Sequence, residues 1–226
     1  MQGRILISVS FFYLGADMIK NRLRRLARDV HARGAFFLIG GTAFHFLYGS
    51  FRLLTGVLYR SYHVDVTAFF YLSLAAARLF LLRAYVENRK KEEISTACRL
   101  AGRMLFVTVG VMLLLIGETL SGGARSAYPF YALLVSGGYA LTSASLSIAE
   151  LWYLKRLRSP LLTASRAVGL ASTLLSAFGF ASDVLLSLAR LPTAVIDALR
   201  LSLGAFTLLF VFSLAVGLSR KKKRDA

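Results

Sequence analysis

Long apolar runs broken by short polar connections set the pattern of this chain. Crossing about 30 Å of hydrocarbon takes roughly 20 helical residues at about 1.5 Å each. Six stretches reach that length: Ala35 to Tyr59, Val64 to Leu82, Leu100 to Leu120, Tyr128 to Leu154, Leu161 to Ala189 and Ile196 to Ser219. The pattern predicts an all-α polytopic transmembrane helix bundle of six spans over residues 35–219, with a basic segment over 1–34 before it and a polybasic tail over 220–226 after it. The fifth stretch is long enough to tilt or to extend into the cytoplasm.

The basic residues test this division independently of hydropathy. Lys20, Arg22, Arg24, Arg25, Arg28 and Arg33 precede the first span, and Arg83, Arg89, Lys90, Lys91, Arg99 and Arg103 surround the connection after the second. Lys155, Arg156, Arg158 and Arg166 flank the connection after the fourth, and Arg220, Lys221, Lys222, Lys223 and Arg224 follow the sixth. The alternate connections hold only Arg60, Arg125, Arg190 and Arg200. Because Lys and Arg are retained on the cytoplasmic side, six spans with both ends in the cytoplasm satisfy the alternation, and an odd number does not. The expected location is the cytoplasmic (inner) membrane, crossed several times.

The stretch RILISVSFFYLGADMIKNRLRRLARDV needs its own decision. Its apolar part, Ile5 to Gly15, is too short to span, is followed by Asp17 and carries no small-residue cleavage site. It reads as a helix lying in the cytoplasmic interface with its Arg side chains toward headgroups. A signal peptide and a short seventh span are the alternatives.

Composition narrows the class further. With 226 residues, 57% of them hydrophobic and 17% charged, the chain is too apolar for an ordinary soluble domain. A formal net charge of +17 would point to nucleic acid if the basic side chains lined one soluble face, but they gather between apolar runs. Membrane lipids are the expected partner, with SRKKKRDA anchored beside anionic headgroups and no nucleic acid bound. The single Cys98 forms no internal disulfide and has no companion for a thiolate metal cluster. No phosphate-binding loop, HExxH, GxSxG or Cys and His pair is present, and the connections are too short for a soluble catalytic domain. The chain therefore reads as no enzyme, with no catalytic residues, no cofactor and no metal.

The fourth and fifth stretches, ALLVSGGYALTSASLSIAE and ASRAVGLASTLLSAFGFAS, carry Gly, Ala, Ser and Thr at spacings of three and four. Small residues let helix backbones approach and let hydroxyls bond across the contact, so these two helices are expected inside the bundle.

Ionisable residues within the spans are the candidates for function. A mid-helix charge costs roughly 2.5 to 3.5 kcal/mol on an insertion scale and needs compensation. Arg52, Glu118, Asp183 and Asp65 fall in the outer portions of their helices, Arg78 and Glu150 near the inner face. Arg52 can pair with Asp183 or Glu118, leaving Asp65 and His63 at the rim, and Arg78 can pair with Glu150. The competing expectation is snorkelling, Arg52 toward the outer interface and Arg78 toward the cytoplasmic one near Arg83, the more ordinary outcome for Arg78. Asp183 is too short to snorkel and wants a partner or water. Arg52, Glu118 and Asp183 form the candidate intramembrane polar site, with His45, Asp65, Arg78 and Glu150 as secondary candidates. His45 has no His, Cys or acidic residue at i+3 or i+4 to complete a coordination pair, which favours a hydrogen-bonded packing role over a proton relay or metal ligand. Tyr59, Tyr62, Tyr128, Tyr131, Trp152 and Tyr153 stand near helix ends as interface anchors.

RLLTGVLYRS, Arg52 to Ser61, resembles the end of the first helix and the following turn of cation diffusion facilitator transporters, and RLRSPLLTASRAVGLAS, Arg156 to Ser172, resembles that family's approach to its fifth helix. The resemblance implies a six-helix transporter with cytoplasmic ends. The family's zinc site of paired carboxylates and imidazoles is not reproduced, because the matched positions are Thr67, Tyr71, Val168 and Ser172. Because only a few residues follow the sixth stretch, the cytoplasmic C-terminal domain usual in that family is not expected here. The chain is similar as well to a group of small six-helix bacterial membrane proteins whose second helix begins after a like YRS turn, a likeness that implies no activity. The expected function is a transporter-like bundle without the zinc site. The alternative is a membrane scaffold or subunit that binds another membrane protein, or a second copy of itself, through its small-residue faces.

Overall fold

The computed structural model describes residues 30–87, 91–121, 130–154, 159–188 and 192–220. The interfacial helix expected before residue 30, the tail beyond residue 220 and most of the basic connections lie outside them. Every regular element among the described residues is an α-helix: α1 (Val30–Tyr59), α2 (Tyr62–Val86), α3 (Lys91–Leu120), α4 (Phe130–Leu154), α5 (Pro160–Leu188) and α6 (Thr193–Arg220). All six are long and apolar enough to cross a membrane, which makes this a multi-pass helical membrane protein. The chain divides into two compact units, residues 1–37 and 38–226. Of the first, only the opening turns of α1 are described, where the Phe36 and Phe37 rings meet edge to face with centroids 6.1 Å apart.

The helices outrun the apolar stretches that announced them. Hydropathy registers only the part of a helix that sits in hydrocarbon, whereas the backbone ladder continues into the polar interface. The third helix accordingly begins at Lys91 rather than near Leu100, with Arg99 donating to Thr96 Oγ1 at 3.1 Å on that polar extension.

The turn between α1 and α2 is the tightest described. Arg60 adopts a left-handed φ of 50°. Its N–H donates to Val57 O at 3.4 Å, and the Ser61 N–H donates to Gly56 O at 2.9 Å. Together these bonds close the six-to-one loop of a Schellman end and satisfy carbonyls that α1 would otherwise leave bare. The Ser61 carbonyl then accepts from Val64 and Asp65, both at 3.1 Å, and α2 starts with Asp65 in its first turn, the sign that suits the helix dipole. Elsewhere, Pro160 occupies the first position of α5, where its missing N–H deprives the helix of nothing.

Within residues 38–226 the interior is built chiefly on α2 and α5. Phe70, Tyr71, Leu74 and Leu81 of α2 are buried, as are Leu162, Val168, Ala171 and Leu175 of α5. This corrects the expectation that α4 and α5 would be the two internal helices. On α4 only the face bearing Ser136, Tyr139, Ser143, Ser147 and Glu150 is enclosed, while Leu134, Leu141, Ile148 and Trp152 point outward. The small residues let α4 approach α5 on one side, and its large apolar ones meet lipid on the other. Several hydroxyls elsewhere fold back on their own helices, as with Thr55 to Phe51 O at 2.8 Å and Thr142 to Gly138 O at 2.7 Å, so these present no unmatched donor to hydrocarbon, whereas the buried Ser182 and Ser219 hydroxyls have no partner among the described residues.

Candidate functional site: a polar column inside the bundle

Helices α1, α2, α4 and α5 enclose a column of polar side chains with an ion pair at each end. At the end away from Arg83, Arg103 and Arg220, Arg52 of α1 donates from Nη2 to Asp183 Oδ2 of α5 at 2.6 Å. Ser136 of α4 donates to the same oxygen at 2.9 Å and accepts from Arg52 Nη2 at 3.3 Å. One turn back on α1, Tyr48 takes the Arg52 Nε hydrogen on its hydroxyl at 2.9 Å. Both charges are sealed from solvent, Arg52 at 4% exposure and Asp183 at 1%. Arg52 thus turns inward rather than snorkelling, and the carboxylate too short to reach water has a charged partner. Removing one member of such a pair costs about 3 to 5 kcal/mol, because the survivor is left uncompensated.

The second pair lies nearer the basic end. Arg78 of α2 donates from Nη2 to Glu150 Oε2 of α4 at 3.1 Å, and Ser165 of α5 donates to Glu150 Oε1. The expected snorkelling of Arg78 is corrected here: its head is buried among four helices. Space for it comes from two glycines. A Cβ at Gly41 of α1 would overlap the guanidinium, and one at Gly169 of α5 would lie 2.9 Å from both Arg78 Nη2 and Glu150 Oε2. Bare backbone on two helices lets a charged fork sit where a methyl group would displace it. On the adjoining turn, Ser147 donates to Gly169 O at 2.9 Å and accepts from Thr173 at 2.7 Å.

Between the pairs stands an aromatic and hydroxyl layer. Tyr48 and Tyr139 stack with ring centroids 3.6 Å apart, Tyr71 meets both edge to face at 4.6 and 5.0 Å, and Phe44 stacks on Tyr139 at 4.7 Å. The Tyr139 hydroxyl is 2.7 Å from His45 Nδ1 and 3.5 Å from Ser172 Oγ, which is itself 3.0 Å from Ser143 Oγ. His45 is 3% exposed, and its Nε2 has no hydrogen-bond partner among the described residues. Hydrogen-bonded groups run from Asp183 to Tyr48 and, across the Tyr48 and Tyr139 ring stack, from Tyr139 to Ser143, and Ser147 with Thr173 lies beside Gly169 between that layer and the Glu150 pair. Ser136 and Glu150, at opposite ends of the column, are about four turns apart on α4, or about 21 Å.

The other candidates stand outside this column. Glu118 does not reach Arg52. Its Oε2 lies 3.4 Å from His63 Nδ1, between α3 and α2, which takes it out of the grouping with Arg52 and Asp183. Asp65 sits in the first turn of α2 close to Gly56, its Oδ1 without a hydrogen-bond partner among the described residues. No three His, Cys, Asp or Glu side chains converge as a metal site among the described residues. Of the positions matched to the zinc site of cation diffusion facilitators, Tyr71 and Ser172 belong to the middle layer, Val168 is buried apolar core, and Thr67 bonds Val64 O at 2.8 Å. Sequence reading missed Tyr48, Ser136, Tyr139, Ser147 and Ser165. A signal for them existed in the Ser spacing of α4 and α5 and in the placement of Tyr48 four residues before Arg52.

These features define a multi-pass membrane protein with a polar interior bounded by two buried ion pairs. Comparison with models of known protein families gives no match to this chain, and comparison with curated proteins gives none either.

Proposed function

We propose that this chain is a transporter-like protein of a bacterial cytoplasmic membrane, moving a small polar solute through the interior shared by α1, α2, α4 and α5. The Arg52 and Asp183 pair closes the outer end of this path, and the Arg78 and Glu150 pair closes the cytoplasmic end. The observation that carries the reading is the presence of two buried ion pairs at opposite ends of one polar column. Packing alone does not call for them, since buried pairs replaced by well-fitted apolar groups are often neutral or stabilising. Ionisable groups inside a membrane ordinarily mark a path or a binding site. An ion pair also suits a closure that must open, because each partner is stable apart only once water or solute has entered. The positive-inside pattern supports placing Arg83, Arg103 and Arg220 in the cytoplasm. The solute is not a zinc-like cation held at the family's matched positions, because Thr67, Tyr71, Val168 and Ser172 offer no carboxylate or imidazole. Ser136, Ser143 and Ser147 of α4 and Ser165 and Ser172 of α5 turn toward the interior, which supports transport, while Gly138, Thr142 and Ser145 lie on the exposed side of α4, where a scaffold would present them to a second protein.

The test is access to the middle of the column. In a Cys98→Ala background, Ser172→Cys places a thiol there, and a membrane-impermeant maleimide reports which side reaches it. Arg78→Met with Glu150→Leu is expected to raise labelling from the face of the basic connections at least about tenfold, the factor that corresponds to about 1.4 kcal/mol of lost closure. Arg52→Met with Asp183→Leu is expected to do so from the opposite face. A thiol that stays unlabelled from both faces in every variant contradicts the proposal.

A further inference from the structure

His45 sits between the two closures with one ring nitrogen bonded and the other bare, and this asymmetry carries a second step. Resting on the transport reading, we infer that His45 Nε2 is the proton-binding site of the path and that its protonation releases the Arg78 and Glu150 pair.

In the tautomer with hydrogen on Nδ1, that nitrogen donates to the Tyr139 hydroxyl and Nε2 presents an unused lone pair. A proton delivered by hydronium forms an N–H bond at Nε2 as the hydronium O–H bond breaks to leave water, and the imidazolium keeps its Nδ1 hydrogen bond. The proton comes from water on one side and returns to water on the other, so no further reactant is needed. A packing histidine with both nitrogens bonded has no such vacancy.

The coupling follows from position. His45 lies one turn from Gly41 on the same face of α1, and Gly41 is where the Arg78 guanidinium rests. The guanidinium therefore lies about one helical turn along α1 from the His45 position. From α4, Tyr139 faces the ring directly and Glu150 stands beyond it in the ion pair. From α2 come Arg78 and, in the aromatic layer, Tyr71. α5 contributes Asp183 at the far pair, and α1 itself contributes Tyr48 and Arg52. A positive charge on His45 repels Arg78 and competes for Glu150. Both effects loosen the same ion pair, while the Arg52 and Asp183 pair lies at the other end of the column and is less disturbed.

The experiment uses the full chain in lipid vesicles, with Cys98→Ala and Ser172→Cys, labelled from the face of the basic connections as the pH falls from about 8 to about 5, the range over which histidines titrate. Labelling is expected to rise at least about tenfold, the change that corresponds to one unit of pKa difference between closed and open states. Adding His45→Gln, which preserves bulk and polarity without a titrating nitrogen, is expected to leave less than about twofold. A full acid response in the His45→Gln chain overturns the inference. Nitrogen NMR of the three histidines in the unsubstituted chain supplies a reading free of folding defects. The His45 ring is expected to gain its proton over the interval in which labelling rises, and a ring that stays neutral throughout also overturns the inference. Labelling that appears in the Arg78→Met, Glu150→Leu chain but ignores pH when that pair is intact defeats this step alone. Labelling absent from every variant defeats the transport reading with it.

Discussion

Asp183 lies 131 positions after Arg52 in the chain, yet the two meet at 2.6 Å, and Ser136 touches both. Three helices are thereby tied at one level of the bundle. Arg52→Met or Asp183→Leu alone is predicted to lower stability by about 3 to 5 kcal/mol, since each strands a buried charge. The double substitution is predicted to cost well under the sum. Unfolding of the purified protein in detergent, run as a double-mutant cycle, measures the difference, and strict additivity would show that the pair is uncoupled.

Two neighbouring glycines on α1 are predicted to respond in opposite directions. Gly40 faces open space, whereas a methyl at Gly41 would occupy the position of the Arg78 guanidinium. Gly40→Ala is expected to be neutral or to stabilise by up to about 1 kcal/mol through helix propensity. Gly41→Ala is expected to destabilise by about 1 to 3 kcal/mol, as overpacking of a filled site does. Melting temperatures of the two variants in one detergent decide the matter, and equal values would place Arg78 elsewhere.

Much of the fold was legible because hydrocarbon thickness imposes one length on every span. The apolar stretches of α1, α4, α5 and α6 match their helices to within a few residues outside the interfacial turns. Helix rotation was harder to read. Hydropathy ranks α4 and α5 as rich in small residues, but it does not say that Leu134, Leu141 and Ile148 share one face while Ser136, Ser143 and Ser147 share the other. Depth arguments narrowed the partners of Arg52 to Asp183 and Glu118, since charges at one level can meet. They could not choose between them, because that choice depends on which helices adjoin: α5 borders α1 through the Arg52 contact, while Glu118 turns from α3 toward His63 of α2. The room for Arg78 was hidden for a different reason. Gly41 and Gly169 are far apart in sequence, and only packing reveals that both vacate the same volume.

The middle layer makes a separate prediction. Tyr139→Phe keeps the ring that stacks on Tyr48 and Phe44 but removes the hydroxyl shared by His45 and Ser172. A buried imidazole nitrogen left without its partner costs about 1 to 3 kcal/mol, so the variant is expected to unfold at lower temperature while keeping wild-type helix content. Ser172→Ala removes only the 3.5 Å contact to that hydroxyl and the 3.0 Å contact to Ser143, and it is expected to cost less. The reverse order in thermal unfolding would mean that Ser172, and not Tyr139, is the anchor of the layer.

Sidedness gives the last prediction, and the assignment of each ion pair to a membrane face depends on it. The connections after α2 and α4 carry dense positive charge and those after α1, α3 and α5 carry little, so the former are expected in the cytoplasm. A reporter that is active only in the cytoplasm, fused after Glu87, should be active, and the same reporter fused after Ser121 should be silent. A reporter active only outside should give the opposite pattern. If the order were inverted, the column and both ion pairs would keep their geometry, but Arg52 and Asp183 would face the cytoplasm. Protonation of His45 would then open the path outward rather than toward the cytoplasm.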